Sequence, residues 1–268
     1  MKFDELDTHL RQYETAHDRV IPGGGFVVAR LDGRGFTRLT KERMDYEAPY
    51  DPRFRDAMLV AISKLMECGF RVIFAYAQSD EISLLFHPED QAFERKHRKW
   101  LSILAGEASA ALSLALGVHA VMDCRLSEIP DRKTVTDYFR WRMEDASRNC
   151  LNSHCYWMLR KQGRDVNEAT EFLSGKSTAE KHELLHANGI NFDDLPLWQK
   201  RGYGMSWQEY EKEGLNPITG EQTRATRRKL AGDLELPVGD EYAGMIVRLL
   251  GESPGHEGLA PPSALNCP

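Results

Sequence analysis

Long hydrophobic runs are missing from this 268-residue chain. No apolar stretch approaches the eighteen or so residues that cross a bilayer as a helix. Cysteine is sparse. Cys68, Cys124, Cys150, Cys155 and Cys267 form no CxxC pair, and their odd number and scatter argue against a disulfide framework or a standard zinc site. Cys150, His154 and Cys155 share one stretch without a zinc spacing, so buried thiols are expected. The nine histidines include no metal-binding pair at helical spacing. An excess of positive charge is missing too. Lys and Arg number 35 against 41 Asp and Glu, a net charge of −6, which speaks against indiscriminate nucleic-acid binding. Local basic patches remain possible, because the local field is what a partner meets. The opening MKFDELDTHLRQYE is charged throughout and has no apolar signal core, so a cytoplasmic protein is expected.

Two familiar nucleotide motifs are absent on inspection. SGKST (Ser174 to Thr178) resembles the end of a phosphate-binding loop, but Thr170 stands where its first glycine is required. Gly23 to Gly25 lead into a strand, not a helix, which excludes a dinucleotide fingerprint. What is present is an ordinary globular composition, 41% hydrophobic and 28% charged. It carries two basic patches, ERKHRK (Glu94 to Lys99) and TRATRRK (Thr223 to Lys229). Each is by itself most simply a solvated helix face.

Apolar periodicity predicts a helix over 2–18, a buried strand from Phe26 to Leu31 and an amphipathic helix from Asp51 to Cys68. Asp51 is placed to cap that helix, with Pro52 at its first position. Two short strands, Arg71 to Tyr76 and Glu81 to Phe86, flank a hairpin turn. A long helix from Gln91 to Leu116 and a strand from His119 to Arg125 follow. The order β-α-β-β-α-β is that of a ferredoxin-like antiparallel sheet, so the fold class expected is α+β. Residues 1–130 form this unit, 131–250 a mostly helical part packed on it, and 251–268 a Pro/Gly-rich tail expected to be disordered.

Acid interrupts the apolar runs at two places. VVARLDGRGF (Val27 to Phe36) ends its strand in Asp32, and IFAYAQSDEISLLF (Ile73 to Phe86) carries Asp80 and Glu81 at the hairpin turn. In the predicted topology both acids meet at one end of the sheet. Two converging carboxylates repel unless a cation lies between them. Magnesium suits such a site, with few protein oxygens and the rest from phosphate and water. Gly33 lets the backbone approach, so its carbonyl is a candidate third ligand. Alternation puts Asp80 and Glu81 on opposite faces, and Asp80 is expected to be the one that joins Asp32. The plain alternative is a capped turn and a polar hairpin tip. Either motif alone favours that account; the two together favour the metal.

RLDGRGFTRLTK and YAQSDEISLLF together resemble the tRNA-histidine guanylyltransferase superfamily, whose members extend RNA in the 3′-to-5′ direction. The likeness continues through DYFRWRMEDASRNCLNSHCYW (Asp137 to Trp157), LSGKSTAEKHELL (Leu173 to Leu185) and TRATRRK. It implies a polymerase-like palm, and two Mg²⁺ held by Asp32, the Gly33 carbonyl and Asp80, with Glu81 in support of catalysis. It implies triphosphate contacts from Asp32, Gly33, Arg34, Gly35, Phe36, Thr37, Ser79 and Asp80, with Lys96 and Lys99 as phosphate ligands. Lys181 and Asn149 fall at RNA- or phosphate-binding positions, and Arg224, Arg227 and Arg228 are expected on the RNA backbone. The chemistry implied is activation of a 5′-phosphate by ATP or GTP, then attack by the 3′-OH of an incoming nucleotide. The partners implied are tRNA, nucleoside triphosphates and further copies of the chain in a homotetramer.

Two departures stand out. Where eukaryotic members carry HINNLYNT, this chain has Ser147 at the leading histidine and keeps Asn149 and Leu151. That pattern resembles the bacterial and archaeal members that repair 5′-truncated tRNA. Ala48 precedes Pro49 where the family has lysine, leaving Lys41 or Arg43 to supply the charge. Two alternatives accompany this reading: a palm-type nucleotide cyclase or signalling nucleotidyltransferase, and an inactive RNA-binding palm.

Overall fold

A computed structural model describes residues 2–215 and 222–251, so the expected tail and Cys267 lie outside the described residues. The elements in chain order are α1 (Phe3–Thr15), β1 (Phe26–Gly33), α2 (Phe36–Arg38), which runs into a π-helical turn (Leu39–Arg43), and α3 (Pro52–Glu67). Then come β2 (Val72–Gln78), β3 (Glu81–Phe86), α4 (His97–Leu116), β4 (Met122–Ile129) and α5 (Arg132–Lys161). The chain closes with α6 (Val166–Leu173), α7 (Thr178–Ala187), α8 (Leu197–Arg201), β5 (Tyr203–Leu215), β6 (Gln222–Asp233) and α9 (Gly239–Gly251). Among the described residues no helix is long and apolar enough to cross a membrane.

The strands form one six-stranded antiparallel sheet in the order β4-β1-β3-β2-β5-β6. Its first four strands are the expected β-α-β-β-α-β unit. The last two are a hairpin that the sequence reading, which treated the region after 131 as mostly helical, did not assign. Charged residues on both faces hide the strand period there, and pairing with β2 supplies what local pattern does not.

Alternation along the strands sends side chains to two cores. Ala29, Leu31, Ile82 and Leu84 pack under α3 and α4, where Met58, Ile62, Leu65, Trp100, Leu104 and Leu112 are buried. Val28, Phe74, Tyr76 and Leu85 face α5 and α9, against Phe139, Met143, Tyr242 and Ile246. The second half of α5 leaves the sheet and buries Leu151, Cys155 and Leu159 against α6 and α7. Its two halves therefore serve different neighbours, which is why no single apolar stripe runs its length.

The expected helix from Gln91 to Leu116 is interrupted. Phe93, Glu94 and Arg95 have φ of 52°, 54° and 55°, and α4 begins only at His97. Left-handed backbone at three L-residues is costly. Arg95 supplies an offset: its buried guanidinium donates to the carbonyls of Ile21 (3.0 Å), Asp90 (2.8 Å) and Pro22 (2.7 Å). The ERKHRK patch is therefore a tight turn followed by a helix start, not one helix face.

Candidate active site

The C-terminal end of β1, the β2–β3 turn and the start of β4 share one edge of the sheet. Ser79 and Asp80 form a two-residue turn, with Ser79 at a φ of 52°. Asp32 sits opposite Glu81 on β3 and opposite Asp123 on β4. Paired residues of neighbouring strands project to the same side, so Glu81, not Asp80, is the strand partner of Asp32. Glu81 is already engaged. Arg142 of α5, itself buried, donates to it at 3.0 Å, and Arg30 lies 3.7 Å away.

Asp80 is placed differently. A Cβ built on Gly33 would stand 2.9 Å from Asp80 Oδ2 and 2.3 Å from the Phe36 ring. The Asp80 carboxylate thus lies against the glycine that follows Asp32, a distance only a residue without a side chain permits. Burial raises the Asp80 pKa to about 6, with Asp32 and Glu81 pushing the same way and the Asp80 amide and Ser79 hydroxyl opposing. Among the described residues no three His, Cys, Asp or Glu side chains form a complete metal cage. Two carboxylates and a carbonyl, with phosphate and water completing the shell, is the donor set magnesium prefers.

A cavity of about 350 Å³ opens in front of these acids. That volume is in the range of nucleotide-sized ligands. Asp32, Phe36, Thr37, Ser79, Asp80 and Glu81 line it, as does Asn149. Phe36 is buried against Phe54, 5.7 Å between ring centres, which seats the turn after Gly35. Gly35 takes a φ of 72° and so lets the chain reverse into α2. Arg34 is exposed, and its amide donates to the Val121 carbonyl at 2.9 Å.

Several lining residues were not anticipated. Asn152 and Ser153 follow Asn149 by three and four positions on α5, a spacing that could have found them. Gln78 directly precedes Ser79. Tyr50, Arg55, Trp198 and Tyr203 come from distant segments and carry no local signal. Tyr50 stacks near His154 (5.8 Å) and meets Trp198 edge-on (6.0 Å), and the Arg55 guanidinium lies 4.9 Å over the Trp198 ring. Of the two expected substitutes for the lysine missing at Ala48, Lys41 lines the cavity and Arg43 is exposed outside it. Burial lowers the Lys41 pKa, opposed by Asp51 and Glu47. Its ammonium donates to the Glu47 carbonyl at 2.5 Å, and Lys161 donates to the Ala48 carbonyl at 3.0 Å.

Lys96 and Lys99 do not join this group. α4 runs about 30 Å, and its C-terminal half, through Ser109 and Ser113, meets the start of β4 beside the acids. Its N-terminus, with both lysines, lies at the opposite end of the sheet, where Val20 bridges Lys96 and Ile21 bonds Arg95. Lys96 pairs there with Glu94 at 2.7 Å. Within one chain these two lysines are remote from Asp80 and do not line its cavity. Lys181 lines a second cavity of about 310 Å³ together with Ser147, Arg148 and His182, and Asn149 and Asn152 border both cavities. Arg224, Arg227 and Arg228 lie on β6. Cys150 and Cys155 are buried; burial pushes the Cys150 thiol up to about 12 and the Cys155 thiol up to about 11. His154 bonds Gln199 at 3.0 Å, so the trio is packing.

The family model for tRNAHis guanylyltransferase matches residues 7–131, and that for the Thg1 C-terminal domain matches residues 133–235. The chain belongs to the tRNA(His) guanylyltransferase family. Its members are nucleotidyltransferases. It is 30% identical to the tRNA(His) guanylyltransferase of Schizosaccharomyces pombe over 76% of this chain and 84% of that one. It is 31% identical to the Neurospora crassa enzyme over 80% and 77% of the two chains. A bacterial tRNA(His) guanylyltransferase (Thg1)-like protein solved with ATP shares the fold: TM-score 0.71, 24% identity, 91% of this chain and 99% of that one. The Saccharomyces cerevisiae enzyme gives a TM-score of 0.68 at 25% identity, over 76% and 93% of the chains.

Proposed function

We propose that this nucleotidyltransferase adds nucleotides to the 5′ end of tRNA, after ATP or GTP activates the 5′-phosphate. The observation that carries the reading is the approach of Asp80 to Gly33 beside Asp32, at the mouth of a cavity of nucleotide size. The membership of both halves in one family supports it and leaves the cyclase and inactive-module alternatives without a supporting observation.

Asp32, Asp80 and the Gly33 carbonyl would hold Mg²⁺, and the raised pKa of Asp80 fits a carboxylate awaiting a cation. Bound there, the metal would supply charge neutralisation to the phosphoryl group in transfer. The protein's own groups do the rest. Ser79 and Thr37 offer hydroxyls, Asn149 and Asn152 amides, and Lys41 an ammonium, all in the cavity lining. Tyr50 and Trp198 present apolar surface for a base. Glu81, neutralised by Arg142 and Arg30, holds the hairpin tip rather than a ligand. No side-chain nucleophile is needed, since positioning and electrostatics carry phosphoryl transfer. Ser147 at the leading position of the middle-helix motif supports repair of 5′-truncated tRNA over strict histidine-tRNA guanylylation. A cytoplasmic tetramer completes the reading.

The test is an extension assay with Mg²⁺, ATP, nucleoside triphosphates and a 5′-monophosphorylated tRNA lacking its first nucleotide. Growth that follows the opposing acceptor base is expected, and its loss in Asp80→Ala. No growth on monophosphate or triphosphate ends would overturn the reading.

A further inference from the structure

Tyr203 opens β5, pairs with Ala77 on β2 and is 1% exposed. It belongs to the apolar core under α3, and it also lines the active cavity. Its hydroxyl is buried and has no hydrogen-bond partner among the described residues. An unpaired buried hydroxyl is costly, and phenylalanine would fill the same space without that cost. Tyr76, the buried tyrosine on the other face of β2, shows the ordinary arrangement: its hydroxyl donates to the Arg201 carbonyl at 2.9 Å. Packing alone therefore does not account for the oxygen of Tyr203.

The surroundings narrow what could meet it. Burial raises the Tyr203 pKa; Arg55 opposes the rise, and Asp56 and Asp80 add to it. The phenol is thus a neutral donor and acceptor at neutral pH. The same charges put it within reach of two parts of the cavity lining. Asp80 stands where the phosphates of a nucleotide would go. The Arg55 guanidinium lies over Trp198, which with Tyr50 offers the surface for a base. What joins base to phosphates is the sugar. Its hydroxyls are neutral donors and acceptors like the phenol, whereas a phosphate is better met by a cation and a base face by a ring.

We infer that the Tyr203 hydroxyl hydrogen-bonds a ribose hydroxyl of the nucleoside triphosphate in the active cavity, and so selects nucleotides that carry that hydroxyl. This rests on the proposal that the cavity takes a nucleotide. A site built to pair a substrate hydroxyl rejects the analogue that lacks it, because the protein's own polar group is then left unpaired. Tyr203 is already stripped of water by its packing, so the bond forms without a further desolvation cost on the protein side. Its place on a central pair of strands fixes the ring, which makes the hydroxyl a positioned reader rather than an adaptable one.

The experiment is calorimetric binding of ATP, 2′-deoxy-ATP and 3′-deoxy-ATP, with Mg²⁺, to the full chain and to Tyr203→Phe. The parent is expected to bind ATP about tenfold more tightly than one of the two deoxy analogues, and that analogue identifies the hydroxyl. Tyr203→Phe is expected to bind ATP about tenfold more weakly than the parent does, and to bind that same analogue as the parent does. The four affinities form a cycle that isolates the hydroxyl pair from any effect of sugar shape. The melting temperature of Tyr203→Phe should equal or exceed that of the parent, since only an unpaired group is removed. A fall of more than about 5 °C would show that the hydroxyl is partnered within the chain, and would overturn the inference. Equal weakening of all three ligands would place the contact on phosphate or base, and unaltered ATP binding would leave no contact; either overturns it too. Failure of the parent to bind ATP at all overturns the functional reading itself and is seen before any variant is made.

Discussion

In the proposed reading, Asp80 decides the chemistry of the site through where its carboxylate is held. Removing it as Asp80→Asn is expected to lower the rate of nucleotide addition on the order of 10³-fold, the scale seen when a principal electrostatic group is lost. Single-turnover rates at saturating tRNA measure this. The raised pKa also sets a pH dependence. A carboxyl whose folded pKa of about 6 exceeds the ordinary aspartate value of 3.8 contributes stability below pH 4, and that contribution is lost as pH rises toward 6. Added Mg²⁺ should therefore raise the melting temperature more at pH 7.5 than at pH 5. Asp80→Asn should abolish that difference, and a pH-independent Mg²⁺ effect would contradict the assignment. Gly33 is the second decisive residue. In Gly33→Ala the new methyl would collide with the Phe36 ring and Asp80 Oδ2, so a stability loss of about 1–3 kcal/mol and loss of most activity are expected. Denaturant titration and the extension assay read the two effects. DGR and SDE pointed to these residues in the sequence because acid at a strand end is conspicuous. That Glu81 is spent on Arg142 and Arg30 was invisible there, since both arginines approach from other elements.

The long helix α5 is the element that couples the site to the fold. Its Arg142 joins Glu81 to Asp145 (3.5 Å) and lies over Trp141, while Asn149, Asn152 and Ser153 reach the cavity further along. Arg142→Ala leaves Asp145 without its guanidinium partner and Glu81 with Arg30 alone, and should cost about 3 kcal/mol. Urea unfolding monitored by fluorescence would reveal it, and a loss below 1 kcal/mol would mean that α5 is held by its apolar contacts alone. Elements with a clear period and a cap were legible. α3 was readable because Asp51 accepts from the Arg53 amide and Pro52 opens the helix. The β5–β6 hairpin was not, because its charged face pattern resembles a solvated helix. Nor was the left-handed turn at Phe93 to Arg95, because its support comes from the carbonyls of Ile21 and Pro22, over seventy residues away.

At the scale of the molecule, α1 is unusual in burying none of its side chains against the chain itself. Phe3 is 79% exposed and Tyr13 67%, with Leu6 and Leu10 also open. Deleting residues 2–16 should leave the melting temperature of a monomer within about 2 °C, because little apolar area is lost. A fall of more than about 5 °C, with a smaller mass in solution, would mean that α1 is covered by another copy. By itself the sequence determined the helix and strand periods of the first 130 residues, their β-α-β-β-α-β order and the two acids at one end of it. These are local properties, written in spacing and in residue type. Only the tertiary structure decided that Asp80 rests on Gly33 while Glu81 is neutralised, that Lys41 faces the cavity while Lys96 and Lys99 stand at the far end, and that the basic patch of β6 divides between two faces. Each of those depends on which distant segment packs alongside, and packing partners are chosen by the whole chain rather than by the neighbourhood of any one residue.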